Sequence, residues 1–301
     1  VDKGQAVFRT YTTLGRCISA LPDSVALGMG RVAGDVMFHV RRDQRAVVTA
    51  NLQRVLGPDA GDPSALDRWA RRSFREYARY WVEGARLPST SSEDVARLVV
   101  LDGLDHLYAG LAQGNGVIMA LPHVGSWEYG AAFLATKGIQ MTSVAERIEP
   151  PALFDYFVEQ RAAMGLNIVP LDRHAGGLLL SALRAGELVG LLCDRDIEGT
   201  GIEVDFFGER TTMPAGPATL ALRSGATLCT GAVFSGPGPN HRGIIEAPID
   251  TTRTSSLRED VARLTQEIAT RLEALIRRAP EQWHVFQPLW LADRPVEDVT
   301  V

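Results

Sequence analysis

From residue 116 onward, short apolar runs alternate with segments whose apolar residues recur every three or four positions. The runs "GVIMAL" (116–121), "MTSVAE" (141–146), "NIVPL" (167–171), "LVGLLC" (188–193), "TLCTGAVF" (227–234) and "GIIEAPI" (243–249) predict strands. Between them the spacing predicts helices near 126–137, 151–164, 177–185 and 216–224, and a long one follows over 257–278. Strands this uniformly apolar, separated by amphipathic helices, predict an α/β fold with a central, mostly parallel sheet covered by helices. The last helix sets Leu257, Val261, Leu264, Ile268, Leu272 and Leu275 on one stripe, as expected of a helix lying on its own core.

Before residue 100 the pattern is helical. Residues 64–86 place Leu66, Trp69, Ala70, Phe74, Tyr77, Ala78, Trp81 and Ala85 on one face and arginines on the other, with Ser64 as the expected cap. "PSTSS" (88–92) then breaks the chain and caps a short helix over 93–98. Residues 13–45 are apolar and glycine-rich, then basic from Arg41 to Arg45, which suits either packing on the core or contact with an anionic lipid surface. With no repeat, low-complexity run or linker, one unit over 1–301 is expected, a helical part over 1–100 followed by an α/β core over 101–301.

Composition narrows the function classes. A chain of 301 residues, 46% hydrophobic, can bury a full core, and a formal charge of -5 argues against bulk electrostatic binding to nucleic acid. Lys3 and Lys137 are the only lysines, an arginine bias that suggests GC-rich bacterial coding. Cys17, Cys193 and Cys229 are widely spaced among apolar residues, as expected of reduced core thiols in a cytoplasmic protein. No run reaches the roughly 18 apolar residues of a membrane span, and no secretory signal pattern opens the chain.

Polar residues just past strand ends are the candidates for chemistry, because ligands gather at the carboxyl edge of such sheets. His123 in "LPHVGSWEYG" (121–130) is one. With Ser126 capping the next helix, Glu128 in its first turn is able to point back and orient the imidazole as a general base; a capping glutamate beside an incidental loop histidine fits the spacing equally. No G-x-S-x-G or H-E-x-x-H occurs, so Ser126 is a candidate nucleophile only by its proximity to His123. In "DRDIEGTGIEVDFFG" (194–208), Asp194, Asp196, Glu198 and Asp205 imitate a calcium loop. A strand precedes it where a helix belongs, so these acids fit better as hydrogen-bonding groups for a polar substrate. Arg147 and Arg161 are candidates for a phosphate or a carbonyl oxygen. The start of the 216–224 helix is a weak anion site. Gly28, Gly30 and Gly34 lack the preceding strand that a dinucleotide site needs.

Five blocks in order carry a resemblance. They are "RAVVTANLQRVLG" (45–57), "HVGSWE" (123–128), "AERIEPPALFDYFVEQRAAMGLNIVPL" (145–171), the stretch 188–226 containing "DRDIEG", and "PEQWHVFQPLW" (280–290). With them the chain resembles the bacterial lipid A lauroyl/myristoyl acyltransferases, and most closely their actinobacterial branch, the phosphatidylinositol mannoside acyltransferases. The resemblance implies a glycerolipid acyltransferase-like fold and transfer of a fatty acyl group, palmitoyl in that branch, from acyl-CoA to a mannose 6-hydroxyl. It implies His123 as general base with Glu128 completing the relay. Arg161 is then expected at the donor or oxyanion, with Arg147, Asp194, Asp196, Glu198 and His284 lining the acceptor groove. The expected donor is acyl-CoA, no cofactor or metal is expected, and the expected location is the cytoplasmic face of the bacterial plasma membrane, held peripherally. "DRDIEG" replaces the "DQDYG"-like run of lipid A members, which favours the mannoside branch over a lipid A acceptor. A thioesterase or esterase and a calcium-regulated binding module are the readings that compete.

Overall fold

The computed structural model describes residues 3–293; residues 1–2 and 294–301 of the expected 1–301 unit lie outside the described residues. Helices α1 (Lys3–Ser19), α2 (Asp23–Val40), α3 (Arg42–Leu56) and α4 (Pro63–Arg86) come first, with α5 (Ser92–Leu98) after them. Asp62 caps α4 in place of the expected Ser64. Its carboxylate accepts the Ala65 N–H at 2.7 Å, and Pro63 takes the first helical position, where a missing N–H costs nothing.

Helices α1, α2 and α3 all pack on α4, which buries Leu66, Ala70, Phe74, Ala78 and Val82. Close approach of α2 depends on two glycines: a Cβ on Gly34 would sit 2.5 Å from Arg75 Cα, and one on Gly30 would sit 3.1 Å from Val82 Cγ2. The glycine spacing in this segment is therefore a helix-packing surface. Asp35 beside it receives Arg71 and Arg75, each at 2.7 Å, and these bonds hold its carboxyl well below the ordinary range.

The second part alternates: β1 (Val99–Asp102), α6 (Leu104–Ala112), β2 (Val117–Leu121), α7 (Trp127–Thr136), β3 (Met141–Ala145), α8 (Pro151–Ala163), β4 (Leu166–Pro170), α9 (Ala175–Arg184) and β5 (Leu188–Leu192). Then come β6 (Ile202–Phe206), β7 (Glu209–Met213), α10 (Gly216–Ser224), β8 (Thr227–Ser235), β9 (His241–Ile245) and α11 (Leu257–Ile276). Seven strands form one sheet in the order β1-β9-β8-β2-β5-β3-β4. The α/β fold with a mostly parallel sheet and helical flanks is thus present. β8, β2, β5, β3 and β4 run parallel, while β9 is antiparallel to β8 and β1 follows β9. The carboxyl ends of the first five therefore share an edge with the start of β9.

All six predicted strands are present, and three more are not foreseen. β1 is four residues long and continues directly from α5, so it carries no alternation to read. β6 and β7 form a separate hairpin closed by Phe207 and Gly208, both at positive φ (51° and 80°), as a tight two-residue turn requires. Helix α11 lies over this hairpin and β8 with its apolar stripe buried, as its spacing predicts. Of the cysteines, Cys193 and Cys229 are buried, and burial pushes the Cys229 thiol up to about 11. Cys17 is exposed on α1, contrary to the expectation of a core thiol, because α1 meets α4 at Gly15 and Ser19, about half a turn round the helix from Cys17. Among the described residues no helix is long and apolar enough to cross a membrane.

Gly34→Ala is expected to lower the unfolding free energy by about 1–3 kcal/mol, since backbone stands where the methyl would go. Gly28→Ala meets nothing within 4 Å and is expected to be neutral or to stabilise by about 0.5–1 kcal/mol through helix propensity. Urea unfolding midpoints check both, and equal midpoints would contradict the close α2/α4 contact.

Candidate active site

Residues 122–126 join β2 to α7, and every amide from 123 to 126 is engaged. His123 N–H donates to Asp194 Oδ2 (3.0 Å), Val124 to Pro122 O (2.8 Å), Gly125 to Gln282 O (3.0 Å) and Ser126 to Val233 O (3.0 Å). Gly125 is required here: its φ is +57°, and a Cβ would lie 2.1 Å from Val233 O. The closing segment adds the His284 N–H to His123 O at 2.8 Å. The loop is therefore fixed from both sides, and His123 with it.

The imidazole partner is Asp194, which follows β5. Nδ1 of His123 donates to Asp194 Oδ1 at 2.5 Å, and the Trp283 indole N–H donates to Oδ2 at 2.7 Å. Burial opposes the Asp194 charge, but the facing imidazole and these donors hold the carboxyl below its ordinary value. With Nδ1 donating, the lone pair stands on Nε2 of a side chain that is 21% exposed. An imidazole held this way by a buried carboxylate has the geometry that a general base needs. The pair forms because the sheet order sets β5 beside β2.

Glu128, expected in that role, does not reach His123. Its Oε1 accepts the Tyr80 hydroxyl (2.8 Å) and Arg161 Nη2 (3.1 Å). α7 turns this carboxylate toward α4 and α8, where a buried negative charge needs those partners. Burial opposes the Arg161 charge, and Glu128 outweighs it and holds the guanidinium above its ordinary value. Trp127 and Phe157 flank Arg161 at 5.7 and 5.5 Å, so its charge is met within the protein.

Ser126 opens α7, yet its hydroxyl makes no cap; it donates to Glu83 of α4. Glu83 also accepts Arg79 Nε (2.6 Å) and the Ser235 hydroxyl (3.0 Å), and His241 Nε2 lies 3.2 Å away. His241 in turn stacks on Tyr129 at 3.9 Å. Burial alone would push Glu83 up, but His241, Arg79 and Ser126 lower it to about 2. This hub joins α4 to the ends of β8 and β9 beneath the His123 loop, and nothing in the sequence marked it.

The remaining candidates divide. His284 donates from Nε2 to Gly125 O at 3.2 Å, and burial brings its imidazole down to about 4, so it braces the loop as a neutral ring. Asp196 turns both oxygens inward, onto the N–H groups of Gly199 (3.0 Å) and Gly201 (2.9 Å), and so shapes its own loop. Glu198 is exposed on that loop, and Arg147 is 65% exposed after β3, 3.7 Å from Asp172. Asp205 stands in β6, 3.6 Å from Arg210, while Asp194 is buried on His123; the calcium-like spacing therefore does not converge. An apolar cavity between the sheet and α7, lined by Met119, Leu121, Trp127, Ala131, Gly231 and Val233, opens beside the loop, with Leu121 and Trp127 flanking His123 in the chain.

Because the folded protein holds Glu83 near 2 in place of 4.5, the stability it contributes is complete above the higher value and drains as pH falls toward the lower. Glu83→Gln is expected to cost about 3 kcal/mol at neutral pH and to flatten the acid decline in that window. Urea midpoints against pH check this, and parallel curves for variant and wild type would contradict it.

Known proteins resemble this chain over most of its length. The chain is 41% identical over 250 residues to a phosphatidylinositol mannoside acyltransferase of Mycobacterium tuberculosis, covering 81% of this chain and 76% of that protein. It is 35% identical over 295 residues to the phosphatidylinositol mannoside acyltransferase of Mycolicibacterium smegmatis, covering 96% and 93%. Residues 5–292 match the bacterial lipid A biosynthesis acyltransferase family, and the chain belongs to that family of enzymes.

Proposed function

We propose that the protein transfers a fatty acyl group, palmitoyl in the fullest form of this reading, from acyl-CoA to a mannose 6-hydroxyl of a phosphatidylinositol mannoside. The names of the mycobacterial relatives support the acceptor. The observation that carries the mechanism is the His123–Asp194 pair at the carboxyl edge of the sheet. The mannose hydroxyl attacks the thioester carbonyl carbon while His123 Nε2 takes its proton. The C–S bond then breaks, and the departing thiolate recovers that proton from Nε2. Asp194 stabilises the imidazolium in between without taking a proton itself. No acyl-enzyme is needed, and the Ser126 hydroxyl, committed to Glu83, is a poor nucleophile for the esterase alternative.

We place the protein peripherally on the cytoplasmic face of the plasma membrane, and the surface of α2 supports contact with a membrane. That helix buries Ala26, Gly30, Gly34 and Phe38, while Val25, Met29, Val32, Val36 and Val40 form an exposed apolar stripe that ends at Arg41 and Arg42.

CoA release from palmitoyl-CoA, with and without a phosphatidylinositol mannoside, tests the reaction. Release is expected to need the acceptor and to fall by about 10²–10⁴-fold in His123→Ala; release indifferent to the acceptor would contradict the reading. Val32→Asp with Val36→Asp is expected to abolish co-sedimentation with anionic vesicles while leaving the fold intact by circular dichroism.

A further inference from the structure

Three donors meet the charge of the buried Asp194: the His123 amide on Oδ2 (3.0 Å), the His123 imidazole on Oδ1 (2.5 Å) and the Trp283 indole on Oδ2 (2.7 Å). The first two come from one residue, and by themselves they fix how the carboxylate faces the imidazole. The third does something further. The positive end of the indole N–H dipole stands against a carboxylate oxygen in a dry interior, so it disperses negative charge that would otherwise act on Nδ1.

The surrounding fold holds the indole at this place. Phe206, Phe207 and Trp290 set their rings around it at 6.2, 6.1 and 6.2 Å, and the Trp283 backbone bridges to Val124 in the His123 loop. Phe207 keeps its positive φ at the β6–β7 turn, a conformation that costs a bulky residue free energy and that Asn or Gly adopts more readily. α11 secures it there: Glu273 Oε1 accepts the Phe207 N–H at 2.7 Å, and Arg277 lies 4.7 Å over the Phe207 ring. Strain kept beside a site calls for a use, and the ring that bears it packs on Trp283.

We propose that Trp283 is a positioning residue for acyl transfer: its N–H draws charge from Asp194, weakens the hold of that carboxylate on the His123 imidazolium, and so keeps Nε2 ready to take a proton. The inference rests on His123 acting as the base of the reaction proposed above. The other titratable groups around the pair are Cys193, whose thiol burial pushes well up, His284 of the closing segment, brought down to about 4, and Glu83 of α4, held at about 2. All three keep one charge state near neutral pH. Arg195, next after Asp194, pairs with Glu146 at 3.5 Å.

Replacing Trp283 by 3-benzothienylalanine, which keeps the bicyclic ring and sets sulfur where the N–H stands, tests the proposal. Acyl transfer from palmitoyl-CoA to a phosphatidylinositol mannoside is followed against pH, and the His123 Cε1–H resonance is titrated by NMR with no substrate present. Losing the N–H is expected to move both the acid limb and the titration about one pH unit upward, about a tenfold loss of rate on that limb, with the rate above the limb unchanged. Trp283→Phe is expected to give the same shift at a lower urea midpoint, since it also loses packing. In Asp194→Asn the replacement is expected to shift nothing further, because the acid through which Trp283 acts is gone. The proposal is overturned if the titration stays in place in both Trp283 variants, if an active variant keeps its acid limb, or if the shift is as large in Asp194→Asn. A titration that moves in a protein showing no acyl transfer keeps the effect of Trp283 on His123 and loses the proposed reaction.

Discussion

Burying a carboxylate costs several kcal/mol unless its charge is met by well-placed donors, and Asp194 is wholly buried. Its donors come from two segments far apart in the chain: the His123 amide and imidazole, and the Trp283 indole. They converge only when β2, β5 and the closing segment are all in place. The same requirement accounts for the backbone pairing of residues 123 and 125 with 282 and 284, which holds the loop that carries His123 against the closing segment.

Glu83 repeats this physics from the helical part. A buried acid on α4 draws in Ser126, Ser235, Arg79 and His241, and so ties α4 to the ends of β8 and β9. α2 lies on α4 through Gly30 and Gly34, so the helix with the exposed apolar stripe is one packing layer from the loop that holds His123. The helices before the sheet are therefore part of how the site is held.

Much of the fold was legible because its strands are apolar throughout and its helices are periodic. His123 was legible for the same reason: a polar residue directly after such a strand has few structural uses. Its partner was not. Glu128 is five residues away in sequence, whereas Asp194 lies 71 residues on and becomes a neighbour only through strand order. Asp194 was seen as a strand-end acid, but spacing cannot say which strands adjoin. Glu83 carried no signal at all, since an acid among the arginines of an amphipathic helix reads as part of a solvated face. Strand β6 went unforeseen although "IEVDF" alternates as a strand does, because Asp205 within it fell into the pattern of a ligand loop.

The central claim is that Asp194, not Glu128, accepts the Nδ1–H of His123. The most direct measurement is proton NMR of the low-field imidazole N–H region in wild type, Asp194→Asn and Glu128→Gln. A strongly hydrogen-bonded His123 resonance is expected in wild type, lost or shifted far upfield in Asp194→Asn and kept in Glu128→Gln. A resonance that survives in Asp194→Asn and disappears in Glu128→Gln would contradict the claim and restore Glu128 as the orienting acid.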